Sequence, residues 1–389
     1  MGKAARGINR SDFDDFRLLC KFQKLLHEEP YAKRVKLKSI IGCNKNVILK
    51  SPFVTVDIGM DKAGERVRNG GFGGLFHCGN SWACPVCAAR KLHEKAAEIT
   101  ELIEIQRQLG KAAVMLTFTR PNYDWQSAGD VLSGLTKARR HFFSSSRWRK
   151  IYKGLGGAER CSVFSTECTY GENGWHFHNH ILIFIDEDAE NMRGLVNAMP
   201  ELRKLWCDAM ERADILNSHS HFSQTRGVYL RVGSDGLPVI VKDGNYLTDF
   251  GLANEISKET NGSGRSPFDL LASDDPADNQ LFLEYAYAVK GYARVKIMAY
   301  GLKNQIRETA KKKCTDDTSV ETVCCIPSTI WREIVDDEYA TGTPHRRNIL
   351  VAALGGIDNV KVYFTSIGYT EDCVLPPVKW FKSYRERAA

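Results

Sequence analysis

The sequence predicts an α+β protein with a central antiparallel sheet of about five strands, flanked by helices and preceded by a cysteine-rich N-terminal region. Segments with helical and strand-like patterns follow one another along the chain. The run CSVFSTECTYGENGWHFHNHILIFID has the pattern of a β-hairpin, whose strands pair antiparallel. Hydrophobic residues make up 43% of the 389 residues, enough for a sizeable core.

The predicted elements begin with a helix at 86–109, where apolar residues recur at helical spacing and Gly110 ends the pattern. A buried strand follows at 112–119 and a helix at about 126–150. The hairpin strands are 161–170 and 175–186, joined by the turn GENG. The later elements are a helix at 188–214, a strand in GVYLRV, a helix at the end of LPVIVKDGNYLTDFGLANEISKE, a helix beginning at Ser266-Pro267, a helix near 328–339 and strands near 348–366.

Composition and charge divide the chain into three regions, namely 1–110, 111–310 and a C-terminal extension at 311–389. The charged stretch 311–320 is the predicted linker before the extension. No apolar stretch of 18 residues exists, and MGKAARGINR lacks the apolar run of a signal peptide. We therefore expect a cytoplasmic protein with no membrane partner, in which some of the twelve cysteines bind metal.

Three histidines stand at alternate positions in WHFHNH, residues 175–180. On a strand, residues i and i+2 share a face about 6.6 Å apart, so two imidazoles at that spacing can converge on one ion. Residues i and i+4 lie about 13 Å apart, which is long for a single ion. An adjacent pair among His176, His178 and His180 is therefore predicted to bind a metal, with the third histidine beside it. Three of the ten histidines within five residues favour this interpretation over a solvent-facing strand.

The other strand of the hairpin offers Glu167 as a third ligand. If GENG is a four-residue loop, the register puts Glu167 opposite His178, whereas a two-residue Asn-Gly turn puts it opposite His180. In either register the carboxylate lies on the histidine face and within reach. Two imidazoles and one carboxylate suit Mg²⁺, Mn²⁺ or Zn²⁺ and leave coordination positions open for a substrate.

The second candidate metal site lies in FHCGNSWACPVCAARK, residues 76–91. Cys84 and Cys87 form a CxxC pair, and Cys78 stands six residues upstream. Three thiolates in a loop that leads into a helix are typical of a structural tetrahedral zinc site. The fourth ligand is Cys43, His77 or His93, and Cys43 is favoured because a structural zinc usually joins distant pieces of chain. The alternatives are a redox CxxC pair, which lacks the usual preceding strand, and buried free cysteines.

Taken together, these motifs resemble the plasmid rolling-circle replication initiators of the HUH endonuclease class. The resemblance rests on CGxxWxCPxC, on LTFT at 116–119, on Glu167 with Thr169, and on GWHxHxH, and it runs from about Cys43 to Lys303. It implies an HUH endonuclease domain at 111–310 with an N-terminal zinc knuckle that contains Cys78, Cys84 and Cys87. It maps the metal-binding histidine pair onto His178 and His180. The hydrophobic position between them is occupied here by Asn179.

The resemblance also implies a tyrosine nucleophile, followed three positions later by a lysine. Tyr246 in NYLTDFG comes after the right number of elements, but the lysine position holds Asp249. Lys242 is then the expected replacement cation, and Asp243 is the nearest acid for the closing step. The alternative nucleophile is Tyr287, which has Lys290 three residues later.

What the resemblance implies is nicking and rejoining of one strand at a DNA origin through a covalent 5′-phosphotyrosine. The partners would be single-stranded or extruded DNA and a host helicase and polymerase, since no Walker A motif is present. A conjugative relaxase or a transposase uses the same chemistry. A zinc-dependent DNA-binding regulator without catalysis would explain the cysteines and the net charge of +7, but not the histidines.

The basic and aromatic run KARRHFFSSSRWRK is a weaker prediction of DNA contact. Arginines can neutralise backbone phosphates and aromatic rings can stack on bases, although a solvated helix face with buried rings explains the run equally well. The candidate contact residues in this run are Arg139, Arg140, Arg147, Trp148 and Arg149.

Overall fold

The computed structural model describes residues 12–48, 51–61, 63–245, 264–317 and 319–377. Its helices and two antiparallel sheets make this an α+β protein, as predicted. The described residues divide into two compact units, one within 81–83 and 90–314, the other within 12–80, 84–89 and 315–377. None of the helices in these described segments is long and apolar enough to cross a membrane.

The described elements are numbered here in chain order. The strands are β1 (Phe53–Met60), β2 (Arg66–Gly73), β3 (Lys111–Phe118), β4 (Cys161–Gly171), β5 (Gly174–Asp186), β6 (Val228–Leu230), β7 (Val295–Ala299) and β8 (Ser319–Pro327). The α-helices are α1 (Asp12–Glu28), α2 (Tyr31–Arg34), α3 (Lys38–Ile41), α4 (Pro85–Gln108), α5 (Ala128–Ser144), α6 (Ser146–Gly154), α7 (Ala189–Glu211), α8 (His221–Arg226), α9 (Pro267–Ala272), α10 (Pro276–Ala288), α11 (Lys303–Asp317), α12 (Ser328–Thr341), α13 (His345–Ala353) and α14 (Ile357–Ser366).

The first unit is built on a five-stranded antiparallel sheet with the strand order β6-β3-β5-β4-β7. The sheet agrees with the predicted number of strands and places the histidine strand, β5, at its centre. β5 pairs with β3 on one side and with β4 on the other. A central strand has both backbone edges hydrogen-bonded, so the positions of its side chains are tightly fixed.

Successive residues of β5 point to opposite faces of this sheet. The histidine face continues into Leu182 and Phe184, which pack against α4 through a cluster that includes Ile99 and Leu102. The opposite face carries Phe177 and other buried apolar residues, and α5, α7 and α10 contribute the rings that cover it. The residues of β5 on this second face are buried.

The second unit contains a three-stranded antiparallel sheet with the strand order β2-β1-β8. Val54, Val56 and Ile58 of β1 lie in its core with Trp331 of α12. The two compact units do not coincide with the regions expected from the sequence, which were divided at 110 and 310, because β8 pairs along the whole of β1. Described residues from 315 to 377 thus belong to the same unit as those from 12 to 80.

Several predicted elements differ from the structure. The strands expected near 348–366 are wrong, because these residues form α13 and α14, whose buried residues recur at helical spacing. The linker expected at 311–320 is occupied by the end of α11 and the start of β8. The single helix expected at 126–150 is two helices, since Ser145 adopts an extended conformation between α5 and α6.

Candidate metal centres

The register of the β4–β5 hairpin determines the geometry of the histidine site. Gly171 pairs with Gly174, so the turn consists of the two residues between them, and Gly174 has a φ of +76° that favours glycine. Of the two registers considered from the sequence, the structure has the one in which Glu167 lies opposite His178. Side chains on this face of neighbouring strands lie close enough to share a ligand.

Three ligand atoms converge at this register. The Nε2 atom of His178 lies 3.0 Å from Oε2 of Glu167, and Nε2 of His180 lies 3.1 Å from the same oxygen. Ligands about 2.1 Å from one ion and at right angles are about 3.0 Å apart. The distances therefore fit three neighbouring ligands of a divalent ion, with the remaining positions open to water or substrate.

The charge of Glu167 also suits a cation site. Burial opposes its ionisation, but hydrogen bonds with His178 and His180 outweigh burial and lower the pKa of the carboxyl to about 2. Glu167 is therefore ionised at neutral pH although it is only 6% exposed. Its Oε1 atom is buried and has no hydrogen-bond partner among the described residues.

His176 stands apart from the three ligand residues. Its Nδ1 atom lies 3.0 Å from Oδ1 of Asn122, in the loop after β3. The ring of His180 is oriented by a different residue, because its Nδ1 atom lies 2.9 Å from Oγ1 of Thr117 on β3. Such contacts fix the ring orientation of a metal-binding histidine.

The sequence did not assign roles to Thr117 or Asn122. Thr117 lies within LTFT, which the resemblance had already singled out, and pairing of β3 with β5 places it directly opposite His180. Asn122 carried no sequence signal, because its contact depends on the path of the loop.

On the face of β5 opposite to the histidines, Asn179 makes two hydrogen bonds. Oδ1 of Asn179 accepts hydrogen bonds from Oγ1 of Thr166 at 2.8 Å and from a guanidinium nitrogen of Arg139 at 3.1 Å. Asn179 is 1% exposed, and burial lowers the pKa of Arg139 from its ordinary value. Asn179 is thus held by contacts from α5 and β4.

The four predicted cysteines come together in the second unit. The Sγ atom of Cys43 lies 3.5 Å from that of Cys87 and 3.7 Å from that of Cys84, and the sulfurs of Cys78 and Cys87 are 3.7 Å apart. These distances are far too long for disulfide bonds. Four sulfurs about 2.3 Å from one zinc ion would be about 3.8 Å apart, so the group fits a tetrahedral metal site.

Cys43 provides the fourth sulfur of this group. Backbone hydrogen bonds between Asn44 and Phe76, and between Asn46 and Phe76, bring its loop beside the one that carries Cys78. The side-chain amide of Asn44 and the backbone N–H of Cys78 both donate to Sγ of Cys43, at 3.3 Å. Donors to sulfur stabilise a thiolate, and hydrogen bonds from neighbouring thiols lower the pKa of Cys43 to about 6. His77 and His93 do not belong to the group.

The first candidate nucleophile, Tyr246, and Asp249 lie outside the described residues. The segment that leads to Tyr246 lies on the histidine face, because Val241 packs in the cluster with Leu182 and Phe184. The backbone N–H of Gly244 then donates to Oγ1 of Thr100 on α4, at 2.8 Å.

The two charged residues assigned to this segment are both described. Lys242 is exposed. Oδ1 of Asp243 accepts from the backbone N–H of Asn245 at 3.0 Å, a contact typical of a helix start. The structure thus gives Asp243 a local structural contact besides its predicted role as an acid.

The second candidate nucleophile, Tyr287, lies on a helix that covers the other face. Tyr285 of the same helix stacks against Phe177, and Glu284 accepts a hydrogen bond from the indole of Trp175 at 3.1 Å. Trp175 and Phe177 alternate with the histidines along β5, so α10 packs on the face opposite to His178 and His180.

The basic run predicted to contact DNA also lies on the face opposite to the histidines. Arg139 is hydrogen-bonded to Asn179, and Trp148 is 4% exposed and stacked on Tyr152. A buried ring cannot stack on a base, so the role predicted for Trp148 is wrong. Arg140, Arg147 and Arg149 are exposed.

Comparisons with known proteins add one limited similarity. The chain is 28% identical over 145 residues to a protein named "Protein rep" from Streptomyces lividans. The match covers 31% of this chain and 32% of that protein, so the chain spans about a third of that relative's length. No protein-family profile matches the chain, and no solved structure matches it.

We expect His178→Ala and His180→Ala to abolish binding of Mn²⁺, because each removes one of three converging ligand atoms. Glu167→Ala should weaken binding for the same reason. His176→Ala serves as the control and should cost no more than the ~10–100-fold typical of a residue that orients a ligand. Isothermal titration calorimetry with Mn²⁺ measures these affinities, and circular dichroism checks the fold. A larger loss for His176→Ala than for His178→Ala would show that the wrong pair has been assigned.

Proposed function

We propose that this protein is a replication initiator that nicks and rejoins one DNA strand at an origin to start rolling-circle replication. The observation that carries the proposal is the convergence of Glu167, His178 and His180 on one face of a central β-strand. The similarity to a protein named rep supports a role in replication. The net charge of +7 is compatible with a polyanionic partner.

The chemistry explains why these residues belong together. A DNA phosphodiester is very slow to cleave unaided, so the enzyme must position a nucleophile and neutralise developing charge. A divalent ion at the histidine site would withdraw charge from a non-bridging phosphate oxygen and orient the phosphate. The carboxylate of Glu167 and the contact of Thr117 with His180 would hold that site in one geometry.

Tyr246 is the proposed nucleophile. Its phenolic oxygen attacks the phosphorus and forms a phosphotyrosine bond to the 5′ end, while the bond from phosphorus to the 3′ oxygen breaks. The phenol loses its proton and the 3′ oxygen takes one up, so the step balances and leaves the hydroxyl that a host polymerase extends after a host helicase opens the duplex. The covalent link conserves the energy of the broken bond, so the strand can be rejoined without ATP. Lys242 is exposed in the segment before Tyr246 and is the proposed cation beside the phosphate.

The DNA strand is proposed to contact Tyr229 as it reaches the histidine site. Tyr229 on the edge strand β6 pairs with Thr117, which pairs in turn with His180, so all three side chains lie on one face. Tyr229 is 56% exposed. An exposed ring beside the ligand residues can stack on an unpaired base. Arg140, Arg147 and Arg149 would then contact DNA only where it passes round to the opposite face.

The four cysteines are proposed to hold a structural Zn²⁺. Four thiolates complete its preferred tetrahedral shell and leave no position for a substrate. Mg²⁺ or Mn²⁺ is proposed for the histidine site, because a mixed nitrogen and oxygen set with open positions suits these ions.

Replacing Tyr246 by Phe is expected to remove the covalent protein–DNA adduct, because only the attacking oxygen is lost and no other side chain replaces a positioned phenol. Binding of the oligonucleotide should survive, since the ring remains. The measurement is denaturing electrophoresis of a labelled single-stranded oligonucleotide after incubation with Mn²⁺. Tyr287→Phe is the matched control and should form the adduct normally.

Peptide mapping of the trapped adduct provides an independent check. The nucleotide should be found on the peptide containing GNYLTDFGLANE. An adduct on Tyr287 would move the nucleophile to α10. Complete absence of an adduct with DNA still bound would favour a non-catalytic, zinc-dependent DNA-binding regulator.

Replacing Tyr229 by Ala should weaken binding of a single-stranded oligonucleotide by ~1–3 kcal/mol, the range for loss of one stacked base. Tyr229→Phe should bind normally because the ring is retained. Tyr300→Ala is the matched control, since Tyr300 is 76% exposed and follows β7 at the other edge of the sheet. Fluorescence anisotropy measures the affinities. Equal affinities for Tyr229→Ala and wild type would remove Tyr229 from the contact surface.

Replacing Cys84 or Cys87 by Ser should lower both zinc content and thermal stability, because metal binding contributes to folding of this region. Elemental analysis of wild-type protein should find about one tightly held zinc per chain, as expected for one four-ligand site. Cys207→Ser is the control, since Cys207 is buried on α7 and is not one of the four grouped cysteines. A folded wild-type protein that contains no zinc would contradict the assignment.

A further inference from the structure

A buried ion pair joins two helices of the C-terminal region. Nε of Arg346 on α13 donates to Oε2 of Glu338 on α12 at 2.7 Å, and both side chains are 0% exposed. Arg346 also donates to Oε1 of Gln23 on α1 at 2.9 Å. Glu338 and Arg346 both lie in the second unit with Gln23.

This network ends at the loop that carries Cys43. The side-chain amide of Gln23 donates to the backbone carbonyls of Ile40 and Cys43, at 2.8 and 2.9 Å. A third hydrogen bond, 3.1 Å long, reaches the carbonyl of Ile41. Arg346 approaches the other side of Cys43, where its guanidinium lies 3.4 Å from the carbonyl oxygen of Asn44.

A second contact from the C-terminal region reaches the same loop. The indole of Trp331 on α12 donates to the backbone carbonyl of Lys45 at 3.2 Å. Lys45 in turn places its ammonium group 4.3 Å from the ring centre of Tyr339 on the same helix. The backbone from residue 40 to residue 45 is thus held by side chains from α1, α12 and α13.

The burial of this network calls for a reason other than stability. Removing two charges from water is costly, and replacing a buried ion pair by apolar residues is often neutral or stabilising. Here the hydrogen bonds run from Glu338 through Arg346 and Gln23 to the backbone carbonyls beside Cys43. Asn44 has a φ of +52° and donates from its side chain to Sγ of Cys43, so a small change in this loop would misplace the sulfur.

We propose that Arg346 and Gln23 are positioning residues for the zinc ligand Cys43, and that the C-terminal region thereby completes the zinc site. The inference rests on the proposed zinc assignment of the four cysteines. Cys78, Cys84 and Cys87 are close in sequence, whereas Cys43 is supplied from a distant loop. Its sulfur can join the others only if that loop is held in place, and Glu338 fixes the guanidinium that holds it.

The test is the rate at which zinc passes from the full-length protein to a colorimetric chelator under native conditions. Gln23→Met removes the side-chain amide that makes all three hydrogen bonds to the Cys43 loop, without introducing a charge. We expect it to lower zinc affinity about 10–100-fold, as for residues that orient a metal ligand, and to speed release correspondingly. The double variant Glu338→Leu with Arg346→Met leaves no unpaired buried charge, so it should fold and should also release zinc faster.

Ile349→Ala is the matched control, because Ile349 is fully buried on α13 but belongs to the apolar core. It should lower the unfolding temperature without speeding zinc release. The inference would be overturned if the control released zinc as fast as Gln23→Met, or if Gln23→Met and the double variant released zinc at the wild-type rate. A wild-type protein without bound zinc would instead overturn the zinc assignment itself, and the inference with it.

Discussion

The register of one β-hairpin is the constraint on which the candidate active face depends. The pairing of Gly171 with Gly174 sets Glu167 opposite His178, so one carboxylate oxygen comes within about 3 Å of two imidazoles. A slip of one residue would turn every side chain of the strand to the other face. The central position of β5, paired on both edges, prevents such a slip. The tight turn therefore matters as much for the site as the ligand residues themselves.

The two faces of the sheet carry different chemistry because a strand alternates its side chains. The histidine face supports ligand atoms, the exposed ring of Tyr229 and the segment that leads to Tyr246. The opposite face holds α5, α7 and α10, with Tyr287 on α10 and the basic run on α5 and α6. For the proposed chemistry this separation favours Tyr246 over Tyr287, because the nucleophile would have to reach a phosphate bound on the histidine side. It also gives Arg139 a role behind the strand, through Asn179.

Sequence patterns predicted the elements in which local periodicity agrees with the fold. The hairpin, the helix of the CxxC knuckle and the Ser266 helix start all follow from local patterns, and Ser266 forms a capping box. The prediction failed where short apolar segments are mixed with polar residues, as in α13 and α14. Local patterns carry no information about which strands pair across 260 residues, so the β1–β8 pairing was missed. Cys43 could be favoured as the fourth ligand only from the general rule that a structural zinc joins distant pieces of chain. Thr117, Asn122 and Gln23 could not be assigned, because their contacts are also made across the fold. Trp148 is buried because α6 packs on rings of α5, a contact that local sequence patterns do not predict.

The two candidate centres differ in ways that allow one chain to hold two different ions. The cysteine group offers four soft thiolates, with backbone N–H donors to sulfur, and is closed to further ligands. The histidine group offers two nitrogens and one carboxylate oxygen, fewer ligands than a divalent ion takes. Thiolates select zinc strongly, whereas a mixed set with open positions binds hard or borderline divalent ions more weakly and exchangeably. A chelator that removes the weakly held ion would therefore leave the cysteine group loaded. Folding of the second unit and chemistry at the sheet of the first would then respond separately to metal.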